Sequence, residues 1–73
     1  MPTNVWVVLH DDGWAVKREG AARATRVCGT QTEAIAYGRQ LAMADKVELI
    51  IQGEDGKIRD RRSYGNDPYP PSG

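Results

Sequence analysis

The chain has 73 residues with ten basic and ten acidic side chains, so its formal net charge is zero. This balance lacks the basic excess of proteins that coat duplex nucleic acid. The lone Cys28 excludes an internal disulfide and favours a reducing cytoplasm, and no apolar run approaches the length of a membrane span. We therefore expect one small cytoplasmic domain with a modest core.

Three strands are predicted before the only helix. Residues 4–10 are rich in β-branched and aromatic side chains, the Asp12-Gly13 step predicts a hairpin, and residues 14–18 alternate as a second strand. Residues 25–28 predict a short third strand. Alternation along the first strand places its side chains on two faces: Val5, Val7 and Leu9 on one, and Trp6, Val8 and His10 on the other.

The helix has the clearest local signal. Thr30 followed by Glu33 fits a capping box, with Thr30 as N-cap and Glu33 at the third helical position. The helix is predicted to run to about Ala44, and Gly38 is predicted to allow a close approach of helix to sheet. Small and aliphatic residues form the predicted buried face: Ala34, Ile35, Gly38, Leu41 and Ala42.

Two further strands and a tail complete the chain. Residues 47–52 predict a fourth strand that turns Val47, Leu49 and Ile51 inward. After a turn at residues 53–56, residues 57–62 predict a charged edge strand with Ile58 as its one apolar anchor. Three prolines and two glycines after Tyr64 predict an extended tail, which we expect to be ordered through Pro68.

The predicted fold class is α+β, in the order β-β-β-α-β-β, with one helix packed on a mainly antiparallel sheet. Residues 1–63 form the compact domain, and residues 64–73 form the C-terminal tail. The first strand is apolar on both sides, which is typical of a strand buried on both faces. One helix cannot cover both faces, so the tail, a second copy or a partner must cover the other.

Four segments in this order resemble one known family: Gly13-Trp14-Ala15-Val16-Lys17, Thr30-Gln31-Thr32-Glu33-Ala34, Asp55-Gly56-Lys57-Ile58 and Ser63-Tyr64-Gly65-Asn66-Asp67-Pro68. Together they are similar to the small bacterial family called domain of unknown function 2188. The resemblance covers nearly the whole chain. It implies a compact bacterial domain and carries no catalytic residue over.

The sequence offers little to catalysis or metal binding. His10 is the only histidine and Cys28 the only thiol. We interpret both as structural residues, and the alternative is that they form a catalytic Cys–His dyad. One histidine and one cysteine cannot make the usual four-ligand zinc site. The acidic residues of the two turns are interpreted as solvated. We therefore predict no enzyme activity, no cofactor and no metal.

Two kinds of contact remain, and the candidate residues for both are Trp6, Trp14, Arg59, Arg61, Arg62, Tyr64, Asn66 and Asp67. Tryptophan, tyrosine and arginine are common interface anchors, which favours a self-associating interaction module that forms a homodimer or binds another protein. The alternative is weak nucleic-acid binding by the basic last strand, where alternation predicts Lys57, Arg59 and Arg61 on one face.

Overall fold

A computed structural model describes residues 3–11 and 13–65 of the chain. Five strands and one helix follow the predicted order: β1 (Val5–His10), β2 (Gly13–Arg18), β3 (Arg26–Cys28), α1 (Gln31–Asp45), β4 (Glu48–Gln52) and β5 (Ile58–Ser63). The helix packs on one face of a single sheet. The predicted α+β class is thereby confirmed.

The five strands lie in the order β3-β2-β1-β4-β5. Three neighbouring pairs are antiparallel, and β1 and β4 are parallel, with Val5 beside Leu49 and Val7 beside Ile51. The parallel pair arises because the chain crosses over through α1 between β3 and β4. β1 therefore lies at the centre of the sheet, which explains why it is apolar on both sides.

The core lies between α1 and one face of the sheet. Ala34, Gly38 and Ala42 are the buried residues of the helix, and Ile35 and Leu41 pack partly buried beside them. This is the predicted helical face. The strands contribute these buried side chains to the core: Val5, Val7, Trp14, Val16, Cys28, Leu49 and Ile51.

Both ends of α1 are capped. The hydroxyl oxygen of Thr30 accepts the backbone N–H of Glu33 at 3.1 Å, which confirms the predicted N-cap. Lys46 ends the helix in the left-handed region, with φ at 57°, and the backbone N–H of Val47 donates to the carbonyl of Ala42 at 3.0 Å. The helix thus extends one residue beyond its predicted end.

The last strand differs from the prediction because of a β-bulge. Ile51 pairs with Asp60 but Gln52 pairs with Ile58, so Arg59 is the extra residue on β5. The predicted role of Ile58 as an apolar anchor is wrong, because its side chain is 52% exposed. All six residues of β5 are exposed, as expected of a charged edge strand.

Candidate interaction surfaces

The sheet face opposite α1 carries a row of four side chains that crosses four strands. Trp6 on β1 pairs with Lys17 on β2 and with Ile50 on β4, and Ile50 pairs with Arg61 on β5. The row alternates with the helix-facing residues of the same strands, so it lies on the far side of the sheet from α1. A tryptophan and an isoleucine are thus flanked by two cations.

A second, apolar row lies beside the first. Val8 pairs with Ala15, and Ala15 pairs with Val27, which is 46% exposed. Ile58 lies on the same face, because its partner on β4 comes two residues after Ile50. We call the two rows together with Ile58 the helix-free face: Trp6, Val8, Ala15, Lys17, Val27, Ile50, Ile58 and Arg61. Ala15 and Ile50 of this face are each 1% exposed.

Two acidic side chains contact residues of the helix-free face. The indole N–H of Trp6 donates to a carboxylate oxygen of Glu19 at 3.1 Å. A carboxylate oxygen of Glu48 lies 3.7 Å from the guanidinium Nε of Arg61, and both side chains are exposed. The centre of the face is therefore apolar, and the indole N–H of Trp6 has a hydrogen-bond acceptor. Both basic and acidic side chains surround this centre.

The other candidate tryptophan has a structural role. Trp14 lies on the helix side of β2, is 8% exposed and belongs to the core. The pairing of Leu9 with Trp14 and of Trp14 with Cys28 places it at the end of the sheet nearest the start of α1. The two tryptophans therefore lie on opposite faces and do not form one surface.

The three candidate arginines point to different partners. Arg59 reaches the start of α1, where its guanidinium lies 3.4 Å from the side-chain oxygen of Gln31. Arg59 and Arg61 therefore lie on different faces, and the prediction that they share one is wrong. The bulge at Arg59 shifts the alternation expected of a regular strand. Arg62 pairs with Asp60 at 3.1 Å. The hydrogen bond that Arg62 donates to Asp60, and then its hydrogen bond with Tyr64, raise the pKa of Arg62 above its ordinary value.

The carboxylate of Asp60 also makes a backbone contact on the edge of the sheet. One of its oxygens accepts the backbone N–H of Arg61 at 2.8 Å, and the other accepts the Nε–H of Arg62 at 3.1 Å. Asp60 was not among the contact residues predicted from the sequence. The available signal was an acidic residue directly before an arginine pair on a strand predicted to be an edge.

Tyr64 is partly buried and packs against the core, and its backbone N–H donates to the carbonyl of Val47 at 3.3 Å. The ordered fold therefore includes this first residue of the predicted tail. The predicted contacts Asn66 and Asp67, and the predicted ordering through Pro68, lie outside the described residues.

The residues considered for catalysis are separated by the sheet. Cys28 is buried in the core on the helix side, whereas His10 is exposed at the end of β1, on the opposite face. No group of three or more potential metal ligands occurs within residues 3–11 and 13–65. In the same part of the chain, no helix has both the length and the apolar character to cross a membrane.

Comparison with known proteins gives a family and one curated relative. The family model described as "Uncharacterized protein conserved in bacteria (DUF2188)" matches residues 5–64 and confirms the resemblance noted in the sequence. The Bacillus subtilis (strain 168) protein described as "Uncharacterized protein YdaT" is 35% identical over 60 residues, which are 82% of this chain and 40% of that relative. The chain thus spans less than half of the relative's length. No solved structure matches significantly.

Proposed function

This chain belongs to the bacterial DUF2188 family, and we propose that it is a non-catalytic interaction module that self-associates through the helix-free face. The observation that carries the proposal is the apolar centre of this face. Trp6 and Val8 are only partly buried there, and Val27 and Ile58, on the two edge strands, are exposed. Apolar side chains grouped on one face, with charges around them, are typical of a protein–protein contact.

The size of the face sets the expected strength of the contact. Five strands at about 4.8 Å spacing and six residues at about 3.3 Å rise give a face of roughly 24 by 20 Å. That is roughly 500 Å², below the ~800 Å² per partner of a standard interface. We therefore propose a weak homodimer with a dissociation constant in the micromolar range, which another protein with a larger complementary surface would displace.

Sedimentation of the full chain across a range of concentrations tests this proposal. We expect a monomer near 8.1 kDa at low micromolar concentration and a species of twice that mass as concentration rises. Trp6→Glu places an unpaired charge in the contact and should shift the equilibrium to monomer. Met43→Glu is the control, because Met43 is an exposed apolar residue on the helix, on the other side of the sheet from the helix-free face. A Trp6→Glu protein that dimerises like the native chain would contradict the proposal.

A second candidate function is weak binding of single-stranded nucleic acid on the same face. It is supported by the position of Lys17 and Arg61 on either side of Trp6, because exposed aromatics stack on bases and cations contact phosphates. Two phosphate contacts would give a log–log salt slope of about −1.4 for a single strand. Fluorescence titration with a labelled oligonucleotide at two salt concentrations tests it, and Lys17→Ala should reduce both affinity and slope.

A cytoplasmic location is part of the same proposal. It is supported by the buried, unpaired thiol of Cys28, because buried free cysteines are common in reducing compartments. Fractionation of the native host with an antibody against the chain would test the location, and recovery from the culture medium would contradict it.

A further inference from the structure

The outer edge of β5 presents backbone groups that no strand of the described residues pairs. β5 is the last strand in the sheet order and pairs only with β4. The backbone N–H of Tyr64 points toward β4, where it donates to Val47. Because amide directions alternate along an extended strand, the N–H groups of Ser63 and Arg61 point away from the sheet. This edge therefore has the geometry that accepts an added strand.

The side chain of Asp60 occupies two hydrogen-bond donors at the middle of that edge. Its carboxylate accepts the outward N–H of Arg61 and the guanidinium Nε–H of Arg62. An added peptide would offer the same two donors a backbone carbonyl and an acidic side chain. Asp60 thus occupies the position that such a peptide would take. A peptide can displace this one short side chain more easily than it could displace a paired strand.

The charge of the edge selects the kind of strand that fits. Residues 57–63 contain four basic side chains, those of Lys57, Arg59, Arg61 and Arg62, against the single acid Asp60. A second copy of β5 would bring like charges face to face, which is unfavourable for directly opposed residues. An extended segment with acidic residues at alternate positions places them on one face, where they would instead meet Arg59 and Arg62 on the helix side of the strand.

We propose that the outer edge of β5 binds an acidic extended peptide as a sixth strand, and that Asp60 is an internal competitor for the same donors. The site uses outward backbone groups of β5 and not the apolar side chains of the helix-free face, so it does not depend on the proposed self-association. The donors are the outward backbone groups of Arg61 and Ser63 together with the guanidinium of Arg62. Uptake requires only that the Asp60 side chain turn away.

Binding of two synthetic hexapeptides to the full chain tests the proposal. One alternates glutamate with valine and the other alternates lysine with valine, and both are fluorescently labelled. We expect the acidic peptide alone to bind and to shift the NMR amide signals of Arg61 and Ser63. Asp60→Ala removes the competitor and should tighten binding about tenfold, the value of one charge-assisted hydrogen bond.

Variants of the edge separate backbone pairing from simple charge attraction. Arg61→Ala keeps the outward N–H and loses the charge, whereas Arg61→Pro also loses the N–H, and an edge strand tolerates proline where its N–H faces outward. We expect the proline variant to bind the acidic peptide several-fold more weakly than the alanine variant, and Trp6→Glu to bind it like the native chain. Equal binding of both peptides, equal affinity of the two Arg61 variants, or weaker binding by Asp60→Ala would each overturn the proposal.

Discussion

Gly38 of α1 faces Leu49 of β4 so closely that a Cβ atom at position 38 would lie 3.0 Å from the Cδ1 atom of Leu49. The same atom would lie 3.3 Å from a methyl group of Val7. Both neighbours are fully buried, so neither can move into solvent. The missing side chain at this one helical position therefore sets the distance between the two layers of the fold.

A substitution at Gly38 is predicted to change the free energy of unfolding in two opposite ways. A side chain raises helix propensity, but it also crowds Leu49, and the crowding grows with side-chain size. Alanine gains about 1 kcal/mol of helix propensity, which offsets most of the cost of pushing Leu49 aside. The free energy of unfolding of Gly38→Ala should thus lie within about 1 kcal/mol of that of the native chain, whereas that of Gly38→Val should be lower by at least about 2 kcal/mol. Urea unfolding measures both. Ala36→Gly, at an exposed helical position, gives the propensity contribution alone, and a Gly38→Val protein of native stability would show that the layers separate easily.

The two tryptophans are predicted to differ in what they stabilise. Trp14 is a core residue, so Trp14→Ala should cost about 3–5 kcal/mol, enough to unfold much of a chain of this size. Trp14→Phe keeps most of the volume and should remain folded, with a loss of about 1–2 kcal/mol. Trp6→Phe retains the ring on the helix-free face and should lose less than Trp14→Phe. Thermal unfolding at low protein concentration compares them, and the reverse order would mean that the helix-free face is interior.

Asn4 links the beginnings of β1 and β4 by a hydrogen bond, and its loss is predicted to destabilise the domain. Its side-chain oxygen accepts the backbone N–H of Glu48 at 3.1 Å, and its own carbonyl accepts the N–H of Glu19 at 2.8 Å. Asn4→Ala leaves the partly buried N–H of Glu48 without its acceptor and should cost about 1–2 kcal/mol. Hydrogen exchange should show faster exchange of the Glu48 amide. Thr3→Ala, at the exposed preceding residue, is the control and should leave that amide unchanged.

The sequence predicted the fold well because its main features depend on local patterns. The Thr30 cap, the buried helical face around Gly38 and the inward side chains of β4 follow from spacings of three to four residues or of two. The parallel pairing of β1 with β4 was not predicted, because it depends on contacts between residues more than 40 positions apart in the chain. Only the two-sided apolar character of β1 hinted that this strand is central.

The contact surfaces were predicted less well, for two physical reasons. A single extra residue in β5 reverses the alternation, so Arg59 and Arg61 lie on opposite sides of the sheet although a regular strand would place them together. No composition rule locates that bulge. The side-chain contact between Glu19 and Trp6 joins residues 13 positions apart in the chain, so the sequence showed the charge of Glu19 without showing what it binds.

Tyr64 is predicted to be the residue through which the end of the chain stabilises the domain. Its ring packs partly buried against the core beside the end of α1, and its N–H closes the β4–β5 ladder at Val47. Gly65 follows so close to the carbonyl of Lys46 that any side chain there would collide with it. Tyr64→Ala should therefore cost about 1–2 kcal/mol through lost apolar contact, a fall in Tm of several degrees.

Two truncations separate the contribution of Tyr64 from that of the residues after it. Deletion of residues 64–73 should lower the Tm at least as far as Tyr64→Ala does. Deletion of residues 66–73 keeps Tyr64 and Gly65 and removes the prolines and Tyr69. If the segment is ordered through Pro68, this shorter deletion should lower the Tm measurably below that of the full chain, because it removes contacts that outweigh the entropy of fixing the segment. If this deletion instead melts like the full chain, the stabilising part of the segment ends at Gly65, and the interpretation of residues 66–68 as ordered is wrong.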